Sequence, residues 1–273
     1  MNYLFACILF ISINFNVFAS SKDQGNTECF FSNQDYKEYA LKTVAAKMPD
    51  LMTYSTYRYP NESHEQILNM YPTGKILVFG YGSLMNKISA SRTVKAESVD
   101  TMQMAVAFGV KRIFNYKASK TKHWQEDLDV KEKAMLNLTQ TFNIASLVNG
   151  VTIEVDLEDF SRLVMREIGY DLVPILVVDE KDIADENPNL DVRVAYTFVA
   201  MNELRNHINY TSTKYYPVRG YLRAVQEAAA MHGKKFAKLW NKTTYMADGV
   251  TCINDWDQMT FKGILCTFEP DSD

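Results

Sequence analysis

What this chain lacks narrows its chemistry before any motif is read. Its four histidines, at 64, 123, 207 and 232, are widely scattered, and it has neither a CxxC pair nor an HExxH run, so no structural or catalytic metal site is expected. A surplus of positive charge is missing too. The 29 Lys and Arg set against 33 Asp and Glu leave a formal net charge of −4, which gives no basic field for a phosphate backbone, and nucleic acid is not an expected partner. A bilayer span needs about 20 apolar residues, and the only candidate run, from Leu4 to about Ile13, is cut short by Asn14 and Asn16. No internal repeat appears. What remains is 273 residues, 47% hydrophobic and 12% aromatic, enough to fold around a core as one domain of generous size or one and a half. A small soluble ligand suits such a chain better than a polyanion.

The first nineteen residues read as a signal peptide: an apolar run, then Val17 and Ala19 as the small residues of a cleavage site before Ser20, although no Lys or Arg precedes the run. Export to a periplasm or the extracellular space is expected, with no stable membrane association after cleavage. Cleavage removes Cys7 and leaves Cys29, Cys252 and Cys266. In an oxidising compartment Cys252 pairs with Cys266 across a short segment, or Cys29 ties the N-terminal arm to one of them. Asn61, Asn137, Asn209 and Asn241 each head an N-x-[ST] triplet, and Asn137 falls in a predicted strand, where a glycan fits poorly.

Four segments follow from the pattern along the chain: the signal peptide at 1–19, an N-terminal extension at 20–73, a main domain at 74–245 and a C-terminal tail at 246–273. In the extension, Tyr36, Tyr39, Ala40, Val44 and Met48 recur at helical spacing. The main domain is dominated by strands, at 75–79, 102–116, 134–138, 149–155, 171–178 and 192–200. One helix is predicted over 157–168, capped by Asp156 and stopped by Gly169, and a second helix or a broken pair over 218–241. Strands with irregularly placed helices, and no repeating βαβ rhythm, indicate an α+β fold: a mixed sheet or a small β-barrel with flanking helices. The polar, charged stretch 118–133 reads as a solvated excursion able to pass over the site.

Two stretches carry chemistry. In KILVFGYGSLM, residues 75–85, a strand breaks into Gly80-Tyr81-Gly82-Ser83-Leu84, where two glycines let successive amides turn toward one point and hold an anion or a carbonyl oxygen. It is not a dinucleotide fingerprint, because the third glycine would fall at Met85. Ser83 has no histidine in a comparable context, which argues against a serine hydrolase. The second stretch, RLVMREIGYDLVP at 162–174, places Glu167 late in the predicted helix, where the helix dipole and partial burial both raise a carboxyl pKa and suit it to carrying protons. The plain alternative for Glu167 is an ion pair with Arg162 or Arg166.

Taken in order and spacing, FGYGSL, then KRIFNY, then NGVTIEVDLEDFSRLVMREIGY resembles the gamma-glutamylcyclotransferase superfamily, and within it the ChaC-like branch, over roughly residues 75–245. The resemblance implies a small mixed barrel, no cofactor, and carbon–nitrogen lyase chemistry of the amidine-lyase class. In that reaction the α-amine of a γ-glutamyl group attacks its own γ-amide carbonyl and releases 5-oxoproline. It implies a small γ-glutamyl substrate, glutathione or another γ-glutamyl peptide or amine. Glu167 matches the family's catalytic glutamate, and Tyr81, Gly82, Ser83 and Leu84 its substrate cradle. Arg112 is expected to pair with a substrate carboxylate or to serve as a barrel-end ion pair. Tyr170 is expected to orient Glu167 or simply to pack, and Tyr221 matches a late tyrosine-containing helix start. The reading from a different class is a secreted binding protein that keeps the barrel without turnover.

Overall fold

In the computed structural model, residue 27 and residues 29–52, 74–117, 133–141, 143–167, 169–200 and 211–255 are described. The signal segment, Cys266, the sequons at 61 and 209, His64, His123, His207 and residues 118–132 of the charged excursion lie outside the described residues.

The main domain contains β1 (Ile76–Gly80), β2 (Gln103–Phe108), β3 (Val110–Lys117), β4 (Lys133–Gln140), β5 (Leu147–Val155), β6 (Asp171–Asp179) and β7 (Arg193–Val199). Five of these close into a barrel in the order β1-β5-β2-β6-β7, antiparallel except where β7 meets β1 in parallel at Val78 and Tyr196. The fold is α+β, a small mixed barrel with flanking helices, as the strand and helix pattern predicts.

The predicted strand over 102–116 is two strands. At Gly109, φ +73, the chain bends out of the barrel, and the break is held by Gly109 N–H donating to Ser146 O at 2.7 Å and Thr141 N–H donating to Gly109 O at 2.9 Å. A side chain there would meet open space, so the requirement is for the left-handed backbone conformation, not for room. Beyond the bend, β3 and β4 form a second sheet with the short β8 (Tyr216–Pro217) and β9 (Thr244–Tyr245), in the order β8-β4-β3-β9.

Alternation along the barrel strands sorts the core into two layers. Ala105, Ala107, Val173, Ile175 and Val177 pack in the main core, while their neighbours Val106, Phe108, Leu176 and Val178 face outward into a second apolar cluster. That outer cluster is closed by the N-terminal extension, where α1 (Gln34–Met52) buries Tyr36, Ala40 and Val44, joined by Phe31 just before it. Strands covered on both faces need not alternate polar with apolar, and β1 and β6 are accordingly buried almost throughout. The C-terminal side contributes as well, since Met246 and Ile253 are in the main core. No helix among the described residues is long and apolar enough to cross a membrane.

After β1 come the single-turn helices α2 (Lys87–Ala90) and α3 (Ala96–Asp100), and α4 (Leu157–Arg166) follows β5. Asp156 caps α4 by accepting from Asp159 N–H at 2.8 Å, and Phe160 and Leu163 bury its apolar face. Asp159, fully buried, accepts from Lys95 N–H at 2.9 Å and from Ser98 Oγ at 2.6 Å, which ties the start of α4 to α3. α5 (Glu180–Ala184) follows β6. The predicted C-terminal helical stretch is a broken pair, α6 (Arg219–Ala230) and α7 (Lys234–Lys242), parted at Gly233 with φ +102.

Candidate active site

The two motifs meet in one cavity. Its walls are the end of β1 and the turn after it, from Phe79 to Leu84, together with Leu136, Glu167, Tyr170, Phe198 and Tyr221, and its volume is about 330 Å³ including the open mouth.

The first wall is built by close packing. Beyond Gly80 the chain folds back so tightly that a Cβ on Gly80 would lie 2.8 Å from Leu84 Cβ, and one on Gly82 would lie 2.9 Å from the Tyr221 hydroxyl. The turn then becomes a short 3-10 helix, Ser83–Met85, in which Met85 N–H donates to Gly82 O at 3.0 Å and Asn86 N–H to Ser83 O at 3.2 Å. The first amides of such a helix have no acceptor within it, and Gly82 supplies no side-chain cap, so the Ser83 and Leu84 amides are left for an acceptor beyond the helix. Tyr81 is anchored at both ends: its hydroxyl donates to Phe198 O at 2.6 Å, and its carbonyl accepts from Trp240 Nε1 at 3.3 Å.

The second wall is the end of α4. Glu167 closes the helix, its N–H donating to Leu163 O at 3.0 Å, and the chain reverses at Gly169 with φ +100. A Cβ on Gly169 would also fall 2.1 Å from the Tyr116 hydroxyl, so glycine is required there for both conformation and space. Burial pushes the Glu167 carboxyl above the ordinary glutamate range, opposed by the guanidinium of Arg166, whose Nε lies 3.3 Å from Glu167 Oε1. The Glu167 side chain keeps 19% of its surface exposed, a partial burial that leaves the acid reachable. Arg162 pairs instead with Glu158 and Asp159, so of the two predicted ion-pair partners only Arg166 reaches Glu167.

Tyrosines complete the lining. Tyr170 donates its hydroxyl to Leu136 O at 2.7 Å, and its ring lies 4.4 Å from that of Tyr116. The Tyr221 hydroxyl lies close against the turn, 2.9 Å from where a Cβ on Gly82 would stand. Burial raises the pKa of Tyr81, Tyr170 and Tyr221, which keeps all three phenols protonated at neutral pH.

Seven of the eight site residues predicted from the sequence therefore line one cavity: Tyr81, Gly82, Ser83, Leu84, Glu167, Tyr170 and Tyr221. Two expectations are corrected. Tyr170 reaches the Leu136 carbonyl with the hydroxyl that was expected to orient Glu167. Arg112 does not line the cavity and has neither a substrate-facing position nor a carboxylate partner in its hydrogen bonding. It is fully buried, with Nε donating to Thr244 Oγ1 at 2.7 Å, Nη1 to Asn149 O at 2.5 Å, and Nη2 directed at Asn149 Oδ1, Trp240 O and Thr243 Oγ1 within 3.1 Å. It also stacks 4.7 Å from the Trp240 ring. Burial among these neutral acceptors pulls its pKa down from the ordinary arginine value.

Two lining residues carried no signal in the sequence: Leu136 and Phe198 are ordinary strand residues until the barrel closes. Cys29 and Cys252 are not joined to each other, and the Cys252 Sγ contacts Asn241 O at 3.1 Å. Asn137 is buried, its amide bonded to Asn115 Oδ1 and Ala200 O, consistent with the poor fit of a glycan at that sequon.

No protein-family model matches the chain, and no curated protein matches it in sequence. Solved structures do. One described as a gamma-glutamyl cyclotransferase is 14% identical, with a TM-score of 0.41 over 60% of this chain and 86% of the other. A gamma-glutamyl cyclotransferase specific to glutathione, from yeast, is 12% identical, with a TM-score of 0.42 over 67% of this chain and 99% of the other. An uncharacterized protein from Homo sapiens is 15% identical, with a TM-score of 0.41 over 61% and 86%.

Proposed function

We propose that this protein is a γ-glutamyl cyclotransferase that releases 5-oxoproline from glutathione or another γ-glutamyl peptide or amine, with Glu167 as its general acid and base. The observation that carries this reading is that Glu167 and the turn at 81–84, about eighty residues apart in sequence, line the same cavity.

The chemistry follows from what such a substrate needs. Its α-amine is mostly ammonium at neutral pH and is no nucleophile until a base takes a proton. The Glu167 carboxylate takes that proton. The amine nitrogen then bonds to the γ-carbonyl carbon, closing a five-membered ring, and the carbonyl oxygen becomes an oxyanion. The bond to the departing nitrogen breaks as Glu167 returns that proton to it, and Glu167 then takes the second proton from the ring nitrogen and passes it to the released amine, which leaves as an ammonium. Atoms balance without water, metal or redox partner. A positioned acid and base of this kind contributes about 10²- to 10⁴-fold. Holding the chain folded for ring closure can remove about 7–11 kcal/mol of barrier. The Ser83 and Leu84 amides are suited to the oxyanion or to the substrate carboxylate. The test is to incubate the protein with glutathione and a panel of γ-glutamyl dipeptides and amines and to measure 5-oxoproline by mass spectrometry. Product from at least one compound is expected, and a ligand that raises the melting temperature yet is never consumed would replace this reading with that of a binding protein.

A further inference from the structure

Arg166 touches both walls of the cavity, through Ser83 on one and Glu167 on the other, and the sequence singles it out only as an ion-pair partner. Its guanidinium has five N–H donors, and both terminal nitrogens are engaged. Nη1 points to Ser89 O at 2.9 Å and Thr93 Oγ1 at 3.1 Å, Nη2 to Ser83 Oγ at 3.1 Å and Ser89 Oγ at 3.0 Å, and Nε lies 3.3 Å from Glu167 Oε1. Arg166 is not among the residues lining the cavity, so whatever it contributes passes through its neighbours.

We infer that Arg166 is the positioning residue of this cavity, one rigid fork that sets the Ser83 hydroxyl as a donor into the cavity and holds the Glu167 carboxylate beside it. A guanidinium only donates, so Ser83 Oγ must accept from it. The hydroxyl's own hydrogen then has to find another acceptor, and Ser83 lines the cavity, where that acceptor is an oxygen of the bound ligand. On the other side the same cation faces a carboxylate whose remaining titratable neighbours are Tyr81 from the end of β1, Tyr170 from the corner after α4 and Tyr221 from α6, all held protonated by burial. Among the described residues Arg166 is thus the only positive charge acting on Glu167, and it opposes the burial that raises the carboxyl's pKa. A lysine would keep the charge, but as a compact point charge it does not reproduce a fork directed at Ser83, Ser89, Thr93 and Glu167 together.

The inference deepens the cyclotransferase reading and rests on it, so the experiment has one arm that does not need turnover. In that arm the Glu167 side-chain carboxyl is titrated by carbon-13 NMR in the wild type, Arg166→Gln and Arg166→Lys. Its midpoint should move to higher pH in Arg166→Gln and stay near wild type in Arg166→Lys. In the kinetic arm, kcat and KM are measured for Ser83→Ala, Arg166→Lys, Arg166→Gln and the Ser83→Ala/Arg166→Gln double variant. Either Arg166 replacement should lower kcat by on the order of tenfold to a hundredfold with a smaller change in KM, as expected for misplaced groups. The double variant should be no slower than the slower of its two parents. An unmoved Glu167 midpoint in Arg166→Gln, a kcat restored to within about twofold of wild type by Arg166→Lys, or losses that multiply in the double variant would overturn the inference. If Arg166→Gln does not fold, Arg166→Lys and Ser83→Ala decide it. Absence of turnover in the wild type counts against the cyclotransferase reading alone, because the titration still reports the link to Glu167.

Discussion

Replacing Arg112 by Met separates a structural arginine from a substrate-binding one. The two readings predict opposite outcomes. Arg112 makes five hydrogen-bonding contacts, all to neutral acceptors, and Met fills much of the same space without serving any of them. Thr243 Oγ1 and Thr244 Oγ1 keep their own hydrogens engaged, on Leu239 O and Trp240 O, so the chief losers are the two oxygens of Asn149 and part of the Trp240 carbonyl. Two buried acceptors left unsatisfied cost about 1–3 kcal/mol each, or about 2–6 kcal/mol together. Relief from burying a guanidinium without a counter-ion offsets part of that and places the net loss toward the lower end. For a domain of this size each kcal/mol moves Tm by about 2–4 °C, so a fall of roughly 5–15 °C is expected. The assay is thermal melting and urea unfolding, alongside KM on the folded fraction at low temperature. If Arg112→Met kept the wild-type Tm while KM rose tenfold or more, the assignment of Arg112 to the framework would be wrong.

Gly150→Ala should be among the most damaging single changes. Its Cβ would fall 2.5 Å from Gly80 O and 2.5 Å from the Phe79 ring, so β1 must move just before the turn; a loss of about 1–3 kcal/mol in urea unfolding, together with weaker ligand binding, is expected. Phe31→Ala opens the outer cluster between α1 and the barrel and should cost about 3–5 kcal/mol, read from the urea midpoint, while turnover per folded molecule stays unchanged because no residue of that cluster lines the cavity. Burial holds the Glu167 pKa above its unfolded value, so its protonation favours the fold; that stabilisation is complete below the unfolded pKa and is lost as pH rises through the folded one. Glu167→Gln should therefore melt higher than wild type at pH 7, with the gap closing toward pH 4, and the acid limb of the wild-type kcat profile should lie above the ordinary glutamate pKa of about 4.3.

Much of this architecture was legible because the relevant signals are local. Asp156 and Gly169 mark the two ends of α4 through capping and a left-handed backbone, and the structure places both as expected. The Gly-Tyr-Gly-Ser break in β1 advertises a turn by composition alone, and Gly233 decides between one helix and a broken pair over 218–241 by parting α6 from α7. The bend at Gly109 was missed because the apolar run continues unbroken through it, and only the pairing of β3 with β4 in a separate sheet shows that the chain has changed direction. Arg112 was misjudged for a related reason. A strand arginine in sequence gives no hint that Asn149, Thr243, Thr244 and Trp240 gather around it from β5 and the end of α7. Arg166 shows the same limit in reverse, since its link to Ser83 spans 83 residues and exists only once the barrel has brought β1 and α4 together.

The most direct measurement is the rate of 5-oxoproline formation by wild type and Glu167→Gln from the best γ-glutamyl substrate at saturation, with folding of both proteins verified. The account predicts a loss of about 10²- to 10⁴-fold in kcat with substrate still bound. Equal rates from the two proteins would contradict it.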